Sequence, residues 1–169
     1  ECEALMTDVM MVPEPIRKHC RTVAKVAASI TDALNRVGCG LDAALIQAAA
    51  LLHDVARTEP DHALRGAALL REIGFSEVSE VVKTHMDLSW RDDAPIGACE
   101  VVFLSDKLVM GDVRAPSLAA RFQASLDRFG DNPAVRAAIQ SRWETAERLR
   151  EKVESIAGST LSEILQETP

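Results

Sequence analysis

Imidazole and carboxylate groups aimed into a protein interior need partners, and six such residues in this chain fall on apolar helical stripes or at the end of one. His19 lines up with Val23, Val26 and Ile30 at i, i+4, i+7 and i+11. His85 follows Val78, Val81 and Val82, and Asp106 shares a stripe with Cys99, Val102, Phe103 and Val109. His62 aligns with Gly66, Leu69 and Ile73, while His53 and Asp54 close the apolar run that ends in Leu51-Leu52. A single histidine on an apolar face is more often a hydrogen-bonded core residue than a ligand. Here four histidines and two aspartates point inward from five helical segments. One shared polar centre accounts for all of them, whereas separate buried groups would each need their own compensation. Imidazole and carboxylate together suit Fe, Mn, Zn, Ni or Co. The spacing is neither HExxH nor paired CxxC. The adjacent pair is the sharpest feature, because neighbours on a helix diverge by about 100°. His53 and Asp54 can face one centre only where a helix is ending, and Pro60 fits such a terminus.

The elements that must position these groups are helices. Pro13 and Pro15 open a long helix ending at Gly38 and Gly40, with Ile16, Cys20, Val23, Ala27, Ile30, Leu34 and Val37 as its apolar stripe. Asp42 caps a second helix that finishes near His53-Asp54. A third runs from about Asp61 to Ile73, and a short fourth from Ser76 to about His85. A fifth runs from Pro95 to about Met110, where Gly111-Asp112 breaks it. Pro116 begins another to about Phe129; after the turn 130–133 a charged amphipathic helix extends to about Gly158, and residues 159–166 form a last short one. No strand-turn-strand signal is read. The expectation is an all-α single domain over 1–169 with about seven to eight helices, a core at about 13–129 and covering helices at about 132–166.

A chain of 169 residues can bury a core in one domain. The formal charge of −7 argues against a nucleic-acid-binding surface. It does not exclude a small anionic substrate, since metals and a few cations can reverse the field in one pocket. No apolar run is long enough to span a bilayer, and no secretory signal is visible. Cys2, Cys20, Cys39 and Cys99 show no metal or disulfide spacing and read as free thiols, which places the chain in the cytoplasm. Cys20 is assigned to packing. The first residue is Glu, as in a chain excised from something longer.

With His19 on a long helix, then Leu-Leu-His53-Asp54-Val-Ala, His62, His85 and Ser-Asp106-Lys107, the sequence resembles the HD-domain metal-dependent phosphohydrolase superfamily. His53-Asp54-Val55-Ala56 is similar to the HDIG branch, with Ala in place of Gly. Asp106 through Asp112 and the charged C-terminal helix further resemble HD domains fused to nucleotidyltransferases of the molybdenum-cofactor type. The resemblance implies that His19, His53, Asp54 and Asp106 bind one divalent transition metal, and that Asp54 bridges to a second held by His62 and His85. It implies a helical HD domain that cleaves a phosphomonoester or phosphodiester of a nucleotide or small phosphorylated metabolite with a metal-bridged hydroxide, His53 and Asp54 being catalytic.

Arg57, Lys107 and Arg114 are the expected substrate-binding cations, with Arg65, Lys83 and Arg91 behind them. Many relatives carry Lys where Arg57 stands; Arg keeps the charge and can grip phosphate in bidentate fashion. Trp90 is assigned to packing, and Asp87, Asp92 and Asp93 to a solvated loop. A di-iron oxygenase and a non-catalytic metal- or nucleotide-binding regulatory module remain the alternatives. A fused or partner nucleotidyltransferase and a homodimer are the macromolecular partners that this reading allows.

Overall fold

The computed structural model describes residues 2–166. One turn, α1 (Cys2–Ala4), runs into a π-helical turn over Leu5–Val9, two features the sequence pattern did not announce. Helix α2 (Glu14–Arg36) begins where Pro13 and Pro15 preset the first turn. Its face from Cys20 to Leu34 is buried, but Val37 lies beyond the helix end and is exposed, so the stripe stops one turn earlier than expected. Helix α3 (Ala43–Leu52) is capped by Asp42, whose Oδ1 accepts from the Leu45 N–H at 2.9 Å. The chain then leaves the helix at His53 through successive three-residue turns.

Asp61 takes a left-handed conformation, φ +50°, and redirects the chain into α4 (His62–Glu72). Its buried face is Ala63, Gly66, Ala67 and Leu70; Leu69 and Ile73, expected beside His62 on the inner stripe, are exposed. Gly66 permits a close approach, for a Cβ there would sit 3.3 Å from Val55 Cγ2 and 3.8 Å from Ala56 Cβ. That contact sets α4 against the segment carrying His53 and Asp54. Helix α5 (Ser76–Thr84) packs on α4 and α3.

Helix α6 (Ala98–Lys107) is buried on every side from Val101 onward and lies against α2, α3, α5 and α8. Its fully buried Phe103 and Leu104 each contribute roughly 1.5–3 kcal/mol of transfer free energy. The expected fifth helix is therefore shorter at both ends. Beyond it, β1 (Val109–Met110) and β2 (Val113–Arg114) form an antiparallel hairpin. Gly111 supplies the positive φ, +64°, that a tight hairpin turn needs. Strands of two residues are too short to carry a readable alternation, which is why none was expected.

Helix α7 (Leu118–Phe129) is capped by Ser117. Helix α8 (Pro133–Ala157), capped by Asn132 and stopped by left-handed Gly158, covers the core with Ile139, Ala146, Leu149 and Val153. The short α9 (Leu161–Ile164) follows. The fold is all-α but for the hairpin, with nine α-helices among the described residues. None of these helices is long and apolar enough to cross a membrane.

Candidate metal centre

His53 and His85 reach the same interior by the same device. Each is the residue that caps a helix C-terminus, α3 and α5 respectively, and each ring donates its Nδ1–H to the carbonyl three residues back. His53 donates to Ala50 O at 2.8 Å and His85 to Val82 O at 2.7 Å. The last carbonyls of a helix lack full intrahelical partners, so each ring satisfies one and is fixed by it. With Nδ1 protonated, the neutral ring presents Nε2 as a lone pair. His19, on α2, donates from Nδ1 to Gly111 O at 2.7 Å and presents Nε2 likewise.

The atoms these rings present gather around Asp54. Its Oδ2 lies 3.5 Å from His53 Nε2 and 3.8 Å from His19 Nε2. Its Oδ1 lies 3.2 Å from His62 Nε2 and 3.4 Å from His85 Nε2. Asp106 Oδ1 joins the first group, 3.1 Å from His19 Nε2 and 3.6 Å from His53 Nε2. Two sets could hold a metal ion: His19, His53 and Asp54, and Asp54, His62 and His85, with the donor atoms of each within 4.8 Å of one another.

Two features of this arrangement fit a bound cation. His53 Nε2 is fully buried and has no hydrogen-bond partner. On the other side, Arg57 Nη1 donates to His62 Nε2 at 3.2 Å, which requires that nitrogen to be a lone pair. His62 Nε2 and His85 Nε2 then face each other at 3.2 Å with Asp54 Oδ1 beside them. Arg57 is the one cation that meets these atoms, donating to His62 Nε2 and to Asp54 Oδ1 at 3.4 Å, and the same lone pairs could hold a metal ion. The C-termini of α3, α5 and α6 all end here, and their partial negative charges favour one.

Burial disfavours charge on Asp54, yet His53 and the His62 and His85 imidazoles beside it hold its carboxyl well below the usual carboxylate range. Burial works against Asp106 in the same way and is outweighed by Lys107, with help from His19 and His53. Burial also opposes charge on His53, but Asp54 in particular holds its pKa well above the ordinary histidine value, so its Nε2 carries a proton unless a metal ion takes that place. His85 moves the other way, pushed down chiefly by burial. Both carboxylates thus stay ionised in the interior.

A cleft of about 200 Å³ opens on this centre, lined by His19, Asp54, Arg57, Asp106, Gly111 and Arg121 among others. A hollow of about 450 Å³ also touches His62 and is lined by Lys83, Met86 and Arg142. A further hollow of about 280 Å³, between α7, α8 and α9, holds no ligand cluster.

A model of the HD domain matches residues 16–129, two thirds of the chain and all six clustered residues. The chain belongs to the HD domain family. An uncharacterized protein of Methanocaldococcus jannaschii, MJ0778, is 26% identical to this HD domain over 145 residues, covering 75% of this chain and 85% of its own length. That relative lends no support to the likeness with nucleotidyltransferase fusions. No solved structure matches the chain.

The three expected substrate cations part company in this HD domain. Arg57 lines the cleft, its side chain 44% exposed. Lys107 is corrected: it is buried, pairs with Asp106 Oδ2 at 2.6 Å and donates to His85 O at 3.0 Å, so no substrate can reach it. Arg114 is corrected too: it does not line the cleft but lies on the hollow between α7, α8 and α9, where its guanidinium donates to Leu165 O at 2.9 Å. Trp90 is buried under Arg148, whose guanidinium carbon lies 5.5 Å from the ring centre. Asp87 and Asp92 pair with Arg142 and Arg148, and Asp93 with Arg91. Arg121 was missed. Its only trace in the sequence is a cation on the stripe Leu118, Phe122 and Ser125.

Proposed function

We propose that this HD domain is a metal-dependent phosphohydrolase with a two-metal centre, acting on a phosphate ester of a nucleotide or small phosphorylated metabolite. One observation carries the reading: the two oxygens of Asp54 are divided between two pairs of imidazole nitrogens. His19, His53 and Asp106 with Asp54 Oδ2 form one seat, and His62 and His85 with Asp54 Oδ1 form the other. Divalent transition metals such as Fe, Mn, Zn, Ni or Co, when bound, acidify water and offset charge on phosphoryl oxygens.

The chain's own groups supply the rest. His53 and His85 hold their lone pairs inward through their helix-end carbonyls. Lys107 occupies one oxygen of Asp106 and so turns the other toward His19 and His53. Arg57 stands at the mouth, where its guanidinium can grip a phosphate oxygen pair. The cleft, about 200 Å³, has room for a phosphoryl group. The net charge of −7 favours a small substrate over a nucleic acid.

Anaerobic purification with elemental analysis, followed by assay on p-nitrophenyl phosphate, bis(p-nitrophenyl) phosphate and phosphorylated metabolites, tests this reading. The expected result is about two metals per chain, ester hydrolysis that chelation stops, and loss of both metal and turnover in His53→Ala. Arg57→Ala should mainly raise KM. A metal-loaded protein that hydrolyses none of these esters defeats the reading.

A further inference from the structure

We propose that Arg121 is a second phosphate-binding residue of this centre, an assignment that rests on the hydrolase reading and adds to it a group no sequence motif marks. Arg121 is half-buried on α7. Its Nε donates to Val109 O at 3.0 Å and its Nη1 to Ser125 Oγ at 2.6 Å. Both acceptors are neutral. A guanidinium has five N–H donors, so these two bonds fix its plane and leave donors over. The residue lines the same small cleft as His19, Asp54, Arg57 and Asp106.

Its charge is the informative part. Among the described residues no carboxylate pairs with Arg121, as with Arg114 and Arg136, which hold only carbonyls, but of these three Arg121 alone lines the cleft. In a chain of net charge −7, a half-buried guanidinium held only by a peptide carbonyl and a hydroxyl keeps its full charge for an anion. Arg57 is different: it already shares its charge with Asp54 at 3.4 Å. Because the stem of Arg121 is tied down, little side-chain freedom is left to lose on binding. The planar fork suits two oxygens of one phosphoryl group. The residue touches no clustered histidine or carboxylate through a hydrogen bond, so it can be altered without dismantling the centre.

The test is calorimetric titration of the metal-loaded chain with inorganic phosphate, for the natural sequence, Arg121→Gln and Arg121→Lys. Glutamine can still donate to Val109 O but carries no charge; lysine keeps the charge without the fork. The expected result is phosphate binding at least about tenfold weaker in Arg121→Gln, the scale of one lost charge-assisted contact, with lysine between. Metal content and Tm should match the natural sequence, and KM for p-nitrophenyl phosphate should rise more than kcat falls. Unchanged phosphate affinity in Arg121→Gln overturns the proposal, as does a weakening fully matched by lost metal. A natural-sequence protein that binds phosphate through Arg121 yet cleaves no ester defeats the hydrolase reading alone. Hydrolysis with Arg121→Gln at full phosphate affinity defeats only this assignment.

Discussion

On one side of Asp54 the cluster is braced at every member, and on the other it is not. His19, His53 and Asp106 each have a second anchor, to Gly111 O, Ala50 O and Lys107 Nζ. That half also contributes a carboxylate of its own. On the other side His85 is anchored to Val82 O, but His62 is the first residue of α4 and follows the left-handed Asp61. Its ring sits at a helix N-terminus, whose partial positive charge works against a cation. The contrast teaches that similar ligands differ in strength according to what fixes them. The half holding Asp106 should fill first and release metal last.

The largest effect expected is for Asp54→Ala, which removes the group common to both halves. Both metals should be lost and turnover should fall on the order of a thousandfold or more, the scale of removing a catalytic group. Near-normal turnover in that variant would end the idea of a shared carboxylate. Lys107→Met strikes only the braced half, leaving Asp106 as a buried charge without its partner. Metal-free stability in urea should drop by about 3–5 kcal/mol, and added metal should restore much of it. An unaltered urea midpoint would mean that the brace carries no weight.

His62→Ala should take the metal content from about two per chain to about one. If elemental analysis instead finds both metals gone, the halves do not fill independently. The smallest effect concerns Asp87→Asn, outside both halves, where the pair with Arg142 is solvent-exposed and worth less than about 1 kcal/mol. The Arg142 hydrogen bond holds the Asp87 carboxyl below its ordinary value, so the folded pKa lies under the unfolded one. The contribution is therefore complete above about pH 4 and fades as pH falls through the lowered folded value. Urea curves of the variant and the natural sequence should differ slightly at neutral pH and merge in acid.

Helix boundaries were legible wherever one residue type dictates local geometry. Pro13 and Pro15 start α2, Asp42 caps α3, and Gly158 ends α8. The end of α3 at His53-Asp54 was legible for another reason, that adjacent residues face one centre only where a helix ends. Faces were less so. Leu69 and Ile73 looked like partners of His62 on an inner stripe and are exposed, because α4 turns its small residues Ala63, Gly66 and Ala67 inward to approach its neighbours closely. Lys107 looked like a cation for substrate, because a sequence does not reveal that α6 is enclosed on all sides.

By itself the sequence determined the inward faces of His19, His85 and Asp106 and the helix end at His53-Asp54, since helical periodicity and end signals act within one element. Only the tertiary structure decided which oxygen of Asp54 meets which imidazoles, that Lys107 turns in and Arg114 away, and that Arg121 reaches the cleft. Periodicity sets a side chain's angle about its own helix axis. Where that axis lies relative to the others is set by packing between residues far apart in the chain, and no single element encodes it.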